Sequence, residues 1–271
     1  MDAINMKKHH NYSLLGLLVL ATFIGGLFLL TTGGTDVVQQ QASYVVYLPI
    51  IANQTRFYAW VNPPWKQTKF APQYLWWCDA RQDRQLVDTA TQAISCAQNN
   101  EGLLYIFKDE QDLFTTPALY AQSYHDFVLA VQAVDPAARF SPAGISQGSG
   151  TAWAQQFYDA YVGLYGTPPP VNEWRFHAFC WGDSNTWKAL VQGYIDWTNA
   201  KGGKLFLGSI GFPFYAEDVL TNEELMLDFI VSQPTIVGAV WWSYDFVEWP
   251  HRLVDANGNL TPEGMLYSEY R

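Results

Sequence analysis

Acid chemistry in this chain gathers where the apolar run Leu103-Leu104-Tyr105-Ile106-Phe107 gives way to Lys108-Asp109-Glu110-Gln111-Asp112. A continuous β-branched and aromatic run reads as a buried parallel strand, and the C-terminal end of such a strand is where α/β barrels keep their reactive groups. Glu110 is therefore a candidate proton donor or acceptor. Cleaving a glycosidic bond takes two carboxyl groups facing each other across it, so Glu110 needs a partner. His177 ends another β-prone run and could orient Glu110 or a substrate, or else be an ordinary hydrogen-bonded histidine at the mouth of the fold. Trp60, Trp76, Trp181 and Trp241 offer flat faces for stacking on sugar rings, or they fill core. No metal and no cofactor is expected: His9 and His10 precede a long apolar segment, the other three His are scattered, and no Gly-rich phosphate loop appears.

The elements that must position these groups follow from periodicity. Strands are expected at residues 57–61, 70–78, 103–107, 138–145, 173–179, 204–208 and 236–244. Helices are expected over 84–98, where Leu86, Ala90, Ala93 and Ala97 share a stripe, and over 117–134, 151–165, 186–201 and 222–233. Strands alternating with helices of this length imply βαβ units and a parallel sheet. Polar and aromatic residues cluster after at least five separate strands, which favours a (β/α)8 TIM barrel over a doubly wound sheet with its single switch point. Residues 44–51 are also β-prone, but the short gap to Phe57 cannot hold a crossover helix. The first βα unit is thus expected to be reduced or irregular.

Heavy use of aromatics, with 12 Trp and 16 Tyr, suits either carbohydrate contact or an aromatic core. A net charge of −10 argues against a nucleic-acid partner, which would call for a basic stripe. Lys7 and Lys8 precede an uncharged apolar run at residues 14–30, an export pattern that fits either a cleaved signal peptide or an uncleaved single-helix membrane anchor. Both put the body of the protein outside the cytoplasm, in the cell envelope or the extracellular space. The expected organisation is a signal or anchor at 1–31, a linker at 32–55 and the barrel at 56–271. An oxidising compartment permits a disulfide between Cys78 and Cys96, leaving Cys180 unpaired.

Several segments, taken in order, resemble glycoside hydrolase family 128, a group of endo-β-1,3-glucanases. They are Phe57-Tyr58-Ala59-Trp60, Ala71-Pro72-Gln73-Tyr74-Leu75-Trp76, Ile106 through Asp112, Phe140-Ser141-Pro142-Ala143, Phe176-His177-Ala178-Phe179 and the tail from Leu253 to Gly264. The resemblance implies a TIM barrel that takes a β-glucan-like polysaccharide or oligosaccharide. It implies Glu110 as acid/base on the fourth strand and a nucleophile on the seventh. At that second position the chain reads Gly208-Ser209-Ile210-Gly211, so Ser209 stands where a Glu is expected, and Asp109 stands where an Asn usually steadies the sugar. A serine hydroxyl neither stabilises an oxocarbenium ion nor attacks well without a base. No Gly-x-Ser-x-Gly context makes Ser209 a hydrolytic nucleophile. Glu217 and Asp218 in one loop, and Asp245 and Glu248 in another, could supply the base of an inverting pair, at roughly 6.5–9.5 Å from the acid, or be solvated loop charges. Two functions therefore follow as expectations: a glycoside hydrolase working through Glu110, or a non-catalytic carbohydrate-binding descendant.

Overall fold

The computed structural model describes residues 84–212, 218–242 and 251–270, together with the backbone of 56–59. The chain divides into two units, Met1–Pro49 and Ile50–Arg271, and every described residue belongs to the second.

Strands and helices alternate, as the periodicity implies. Seven strands lie among the described residues: β1 Arg56–Ala59, β2 Arg84–Val87, β3 Leu104–Phe107, β4 Arg139–Ser141, β5 Glu173–Phe179, β6 Lys204–Gly211 and β7 Ile236–Trp241. The helices are α1 Ala90–Ala97, α2 Pro117–Gln132, α3 Gly150–Tyr165, α4 Ser184–Lys201, α5 Val219–Ser232 and α6 Pro262–Glu269. All strand pairings are parallel, in the orders β1-β7-β6-β5 and β2-β3-β4. Ile145, just past β4, bridges to Phe176 of β5 and so links the two sheets. The expected strand at 70–78, the β-prone run at 44–51 and the apolar run at 14–30 all lie outside the described residues. Among those described, no helix is long and apolar enough to cross a membrane. Cys96 is disulfide-bonded and Cys180 is free and buried, while Cys78 lies outside the described residues.

One expectation is overturned at 84–98. Arg84–Val87 is a strand paired with β3, and the helix begins only at Ala90. The boundary has a physical mark: Thr89 accepts the backbone N–H of Gln92 while the Gln92 side chain accepts from the backbone of Thr89, a capping box that fixes the helix start. Leu86 therefore belongs to a strand, not to the helical stripe. The strand expected at 138–145 is also shorter, because Pro142 has no N–H to give to a ladder and pairing past Ser141 survives only as isolated bridges at Gly144 and Ile145.

Period-two alternation sorts the strand side chains into two layers. Leu86, Leu104, Ile106, Phe206 and Val240, strand residues from both sheets, pack on one another. They form a small apolar cluster on the face of the strands opposite the helices. Their neighbours Tyr105, Phe107, Leu205, Leu207 and Trp241 face the other way, into the layer that holds the helices. There Phe107 stacks on Phe127 of α2 with ring centroids 4.2 Å apart, and each such buried ring stabilises the fold by about 1.5–3 kcal/mol. This packing clamps β3, and with it the turn that carries Glu110, against α2.

One buried group runs against that economy. Glu223 of α5 is fully buried and neither of its carboxyl oxygens has a hydrogen-bond partner. Glu263 on α6 is the nearby charge, and its own carboxylate lies 3.0 Å from Nδ1 of His251. Burial first, and the Glu263 charge second, push the Glu223 carboxyl up to about 9, so it is held neutral.

Candidate active site at the strand ends

The site is built by an abrupt exit from β3. The last ladder bond is Lys108 N–H to the Val87 carbonyl, and the chain then turns through two non-glycine residues in the left-handed region, Lys108 at φ 67° and Glu110 at φ 46°. Each such residue costs on the order of 1 kcal/mol or more and persists only where its surroundings hold it. The restraints are visible. Asp109 bridges to Gly144, Glu110 N–H donates to the Gly144 carbonyl at 2.8 Å, and the Gln111 amide donates to the Asp109 carbonyl at 3.1 Å. Asp112 accepts the Ser146 N–H at 3.1 Å and also its hydroxyl, tying the turn to the segment after β4.

β5 supplies the group these carboxylates face. Its inward positions are Glu173, Arg175 and His177, since Trp174, Phe176 and Ala178 pack outward with the helices. His177 is buried, and its ring spans two carboxylates: Nδ1 lies 3.0 Å from Oε1 of Glu110 and Nε2 lies 3.3 Å from Oδ1 of Asp109. Neither atom of the second contact makes a hydrogen bond, so that attraction is chiefly between charges. Burial works against a charged ring here, but the Asp109 charge and the contacts with Asp109 and Glu110 outweigh it and raise His177 to about 9. Burial likewise opposes the Asp109 charge, and the His177 ring overcomes it, with Arg175 and the Glu110 N–H helping, so Asp109 stays below the usual carboxylate range. At neutral pH an imidazolium is thus wedged between Asp109 and Glu110. The Glu110 side chain remains 39% exposed, open to a ligand.

Two glycines make the wedge fit. A Cβ on Gly144 would collide with the Asp109 carboxylate and come within 2.8 Å of His177 Nε2, and one on Gly208 would come within 2.7 Å of His177 Cδ2. Gly208 has a second role. The β5–β6 register runs Phe176↔Leu207 and then His177↔Ser209, so Gly208 is the extra residue of a β-bulge. Leu205, Leu207 and Ile210 all pack outward, which leaves the two bulge residues 208 and 209 on the inward face. The bulge therefore turns buried Ser209 to the same side as His177, its strand partner.

The remaining expected residues separate. Trp181 is 59% exposed and its indole N–H is held by the Gln147 side chain at 2.9 Å, a fixed and open face. Trp241 is not a sugar platform: it is fully buried, its N–H donates to the His251 carbonyl, and its ring packs on Tyr267 of α6. As the last residue of β7 it falls on the outward phase of the alternation, which points it into the helix layer. Asp218 is solvent-exposed and immediately precedes α5. Trp60, Trp76, Glu217, Asp245 and Glu248 lie outside the described residues. No group of three metal-ligating side chains occurs among the described residues. Reading by motif passed over Arg175, Gly144 and Gly208. The signals for them were an inward-phase Arg two residues before His177 and glycines inside strand patterns.

No protein-family profile matches the chain, and no curated protein matches it in sequence. Solved structures do match. An exo-β-1,3-glucanase of glycoside hydrolase family 128, subgroup VI, from Aureobasidium namibiae aligns over 80% of this chain and 96% of its own, at 14% identity and a TM-score of 0.63. The subgroup IV endo-β-1,3-glucanase from Lentinula edodes aligns over 81% and 91%, at 11% identity and a TM-score of 0.57. A subgroup I endo-β-1,3-glucanase from Amycolatopsis mediterranei, solved with laminaripentaose, aligns over 81% and 92%, at 15% identity and a TM-score of 0.57. The chain resembles family 128 glucanases, and at these identities the likeness is one of fold.

Proposed function

We propose that the protein binds a β-glucan-class oligosaccharide at the C-terminal ends of its strands and hydrolyses O-glycosyl bonds there, with Glu110 as the acid/base. The observation that carries this reading is the 3.0 Å contact between Glu110 and a buried His177 at the end of β5. A half-open carboxyl, held in a strained turn and oriented by a buried ring, has the preorganisation that proton transfer needs. That structural neighbours include a glucanase with laminaripentaose bound supports the substrate class.

In the reaction, Glu110 gives a proton to the glycosidic oxygen as the C1–O bond breaks, water adds to C1, and a base takes the water's proton. The base is assigned to Glu217, Asp245 or Glu248, which follow β6 and β7 in the sequence. Asp218 is the weaker choice, being exposed at the entry to α5. We further read the whole as a (β/α)8 barrel, exported through residues 14–30 as a secreted or membrane-tethered protein. N-terminal sequencing of the mature chain tests the last point.

A second reading has its own observation. On β6 the side chain turned toward the site beside His177 is Ser209, which cannot replace a carboxylate, so the cleft would bind glycan without cutting it. Reducing-end release from laminari-oligosaccharides, measured for wild type and Glu110→Gln beside calorimetric binding, separates the two. Hydrolysis that falls about 100-fold or more in Glu110→Gln is the expected result. Equal rates in both proteins would overturn the role of Glu110. Binding with no turnover in either leaves the second reading, and no binding of any β-glucan removes both.

A further inference from the structure

The chain leaving β5 carries His177, Phe179 and Trp181 at i, i+2 and i+4, while Ala178 and Cys180 between them pack into the layer that holds the helices. The three rings lead outward from the site. His177 is buried between its carboxylates, Phe179 is half-buried, and Trp181, just past the strand, is exposed. Successive ring centroids are 6.4 and 6.5 Å apart, and both pairs meet edge-on. The indole therefore stands two ring steps from the imidazolium that orients Glu110, a span that a short oligosaccharide covers.

A side chain from a neighbouring element holds this open ring. Gln147 lies in the turn that opens α3, and its Oε1 accepts both the backbone N–H of Phe179 and the indole N–H of Trp181, each at 2.9 Å. These two bonds use both lone pairs of the amide oxygen. Between them the Cys180 N–H donates to the Gly211 carbonyl at 2.8 Å, so each of the three residues that leave the site is pinned. The turn is closed by the Ser149 and Gly150 N–H groups on the Ser146 carbonyl, and Ser146 in turn binds Asp112. One short segment, residues 144–147, thus fixes both the turn that carries Glu110 and the indole beyond it. An indole whose polar edge is tied while more than half of its surface meets solvent presents its flat apolar body in a set orientation. Ordering it beforehand removes a cost that binding would otherwise carry.

We propose that Gln147 is a positioning residue for glycan binding: it presents the Trp181 indole as a preformed stacking face for a sugar unit of the same β-glucan-class oligosaccharide that reaches Glu110. Gln147 acts through Trp181 and not on the reacting atoms. The assignment rests on the proposed reading of the cleft as a glycan site, and its test tells the two apart.

Calorimetric binding of laminarihexaose is measured on the full chain in the Glu110→Gln background, where no bond is cut, with Trp181→Ala, Gln147→Met, Gln147→Glu and the Trp181→Ala/Gln147→Met pair added. Trp181→Ala is expected to raise Kd about tenfold, as loss of one ring contact does. Gln147→Met should raise it about two- to tenfold, the effect of releasing one ordered side chain. Gln147→Glu keeps an acceptor for both N–H groups and should bind like its parent. With Trp181 already removed, Gln147→Met should weaken binding no further, because the two act as a unit. The Trp181 indole N–H, identified by its absence from Trp181→Ala spectra, should exchange with solvent faster in Gln147→Met, a readout that needs no ligand. In hydrolysis by chains that retain Glu110, both single variants should raise KM and leave kcat little changed. Gln147→Asn, whose amide is too short to reach both donors, is the variant to read if Gln147→Met does not fold. Unchanged binding in Trp181→Ala overturns the stacking face. Unchanged indole exchange in Gln147→Met, or equal weakening with and without Trp181, overturns the role of Gln147. A wild type that binds no laminarihexaose overturns the glycan reading itself, and this assignment with it.

Discussion

Nδ1 of His177 lies 3.0 Å from Oε1 of Glu110, while the opposite nitrogen of the same ring faces Asp109 at 3.3 Å. With both ring nitrogens committed to carboxylates, His177 has no lone pair left to activate Ser209, so a serine-hydrolase relay is closed to this site. The ring acts instead as a fixed positive charge that orders the turn after β3.

That charge links folding to alkaline pH. The folded-state value of His177 is raised to about 9 from 6.5, so its stabilisation is fully present below about pH 6.5 and is lost as pH rises through about 9. The contribution is roughly 3 kcal/mol at most, from the size of the shift. Urea midpoints measured from pH 6 to 10 should decline across that window, and His177→Gln should flatten the decline. An identical slope in His177→Gln would show that the ring is neutral in the folded protein.

Glu223 pulls in the same direction for the opposite reason. Its folded value is raised to about 9 while the unfolded chain ionises near 4.5, so folding grows less favourable as pH climbs between the two. Glu223→Gln removes the ionisable group and should be close to neutral at pH 4.5 and stabilising at pH 8, with a higher urea midpoint. A variant less stable than wild type at pH 8 would mean that the carboxylate has a partner and is charged in the fold.

Gly144 and Gly208 should tolerate no side chain. An Ala at either invades Asp109 or His177, and the overpacking should cost about 1–3 kcal/mol. The sharper readout is the His177 proton NMR titration. In Gly208→Ala the ring must leave its seat between the carboxylates, so its midpoint should fall toward 6.5. A stable Gly208→Ala protein with an unmoved midpoint would refute the packing described for the bulge.

Ser209→Glu places a carboxylate on the face that His177 occupies. If β6 is where the catalytic pair is broken, this variant should release reducing ends from laminari-oligosaccharides at least about tenfold faster than wild type, and Glu110→Gln in the same background should abolish the gain. A folded Ser209→Glu protein with no gain would place the second carboxylate elsewhere.

Much of this was legible from residue order alone. The run from Leu103 to Asp112 announced both a strand and its acidic end, and α2, α3 and α4 begin and end within two residues of the periodicity, marked by Thr116, Asp183 and Gly166. The failures share a cause. Arg84–Val87 looks helical because Leu86 keeps phase with the alanines of α1, and only the capping box at Thr89 reveals the break. Trp241 looks like a platform because composition cannot say which face of a strand it takes. Arg175 goes unread because an arginine inside a strand makes sense only once the groups packed around it, the Gly208 carbonyl and the Phe206 ring among them, are placed.

The bulge at Gly208 also bears on how this strand can change. Without the extra residue, strict alternation would bring Ser209 into the gap now left by Gly208, its Cβ crowding His177 and Arg175. The site is therefore sensitive to the length of β6 more than to the identity of residue 209: a one-residue deletion at 208 removes the seat of the imidazolium. Lineages and libraries that vary this strand would be expected to keep its residue count even where they abandon its chemistry.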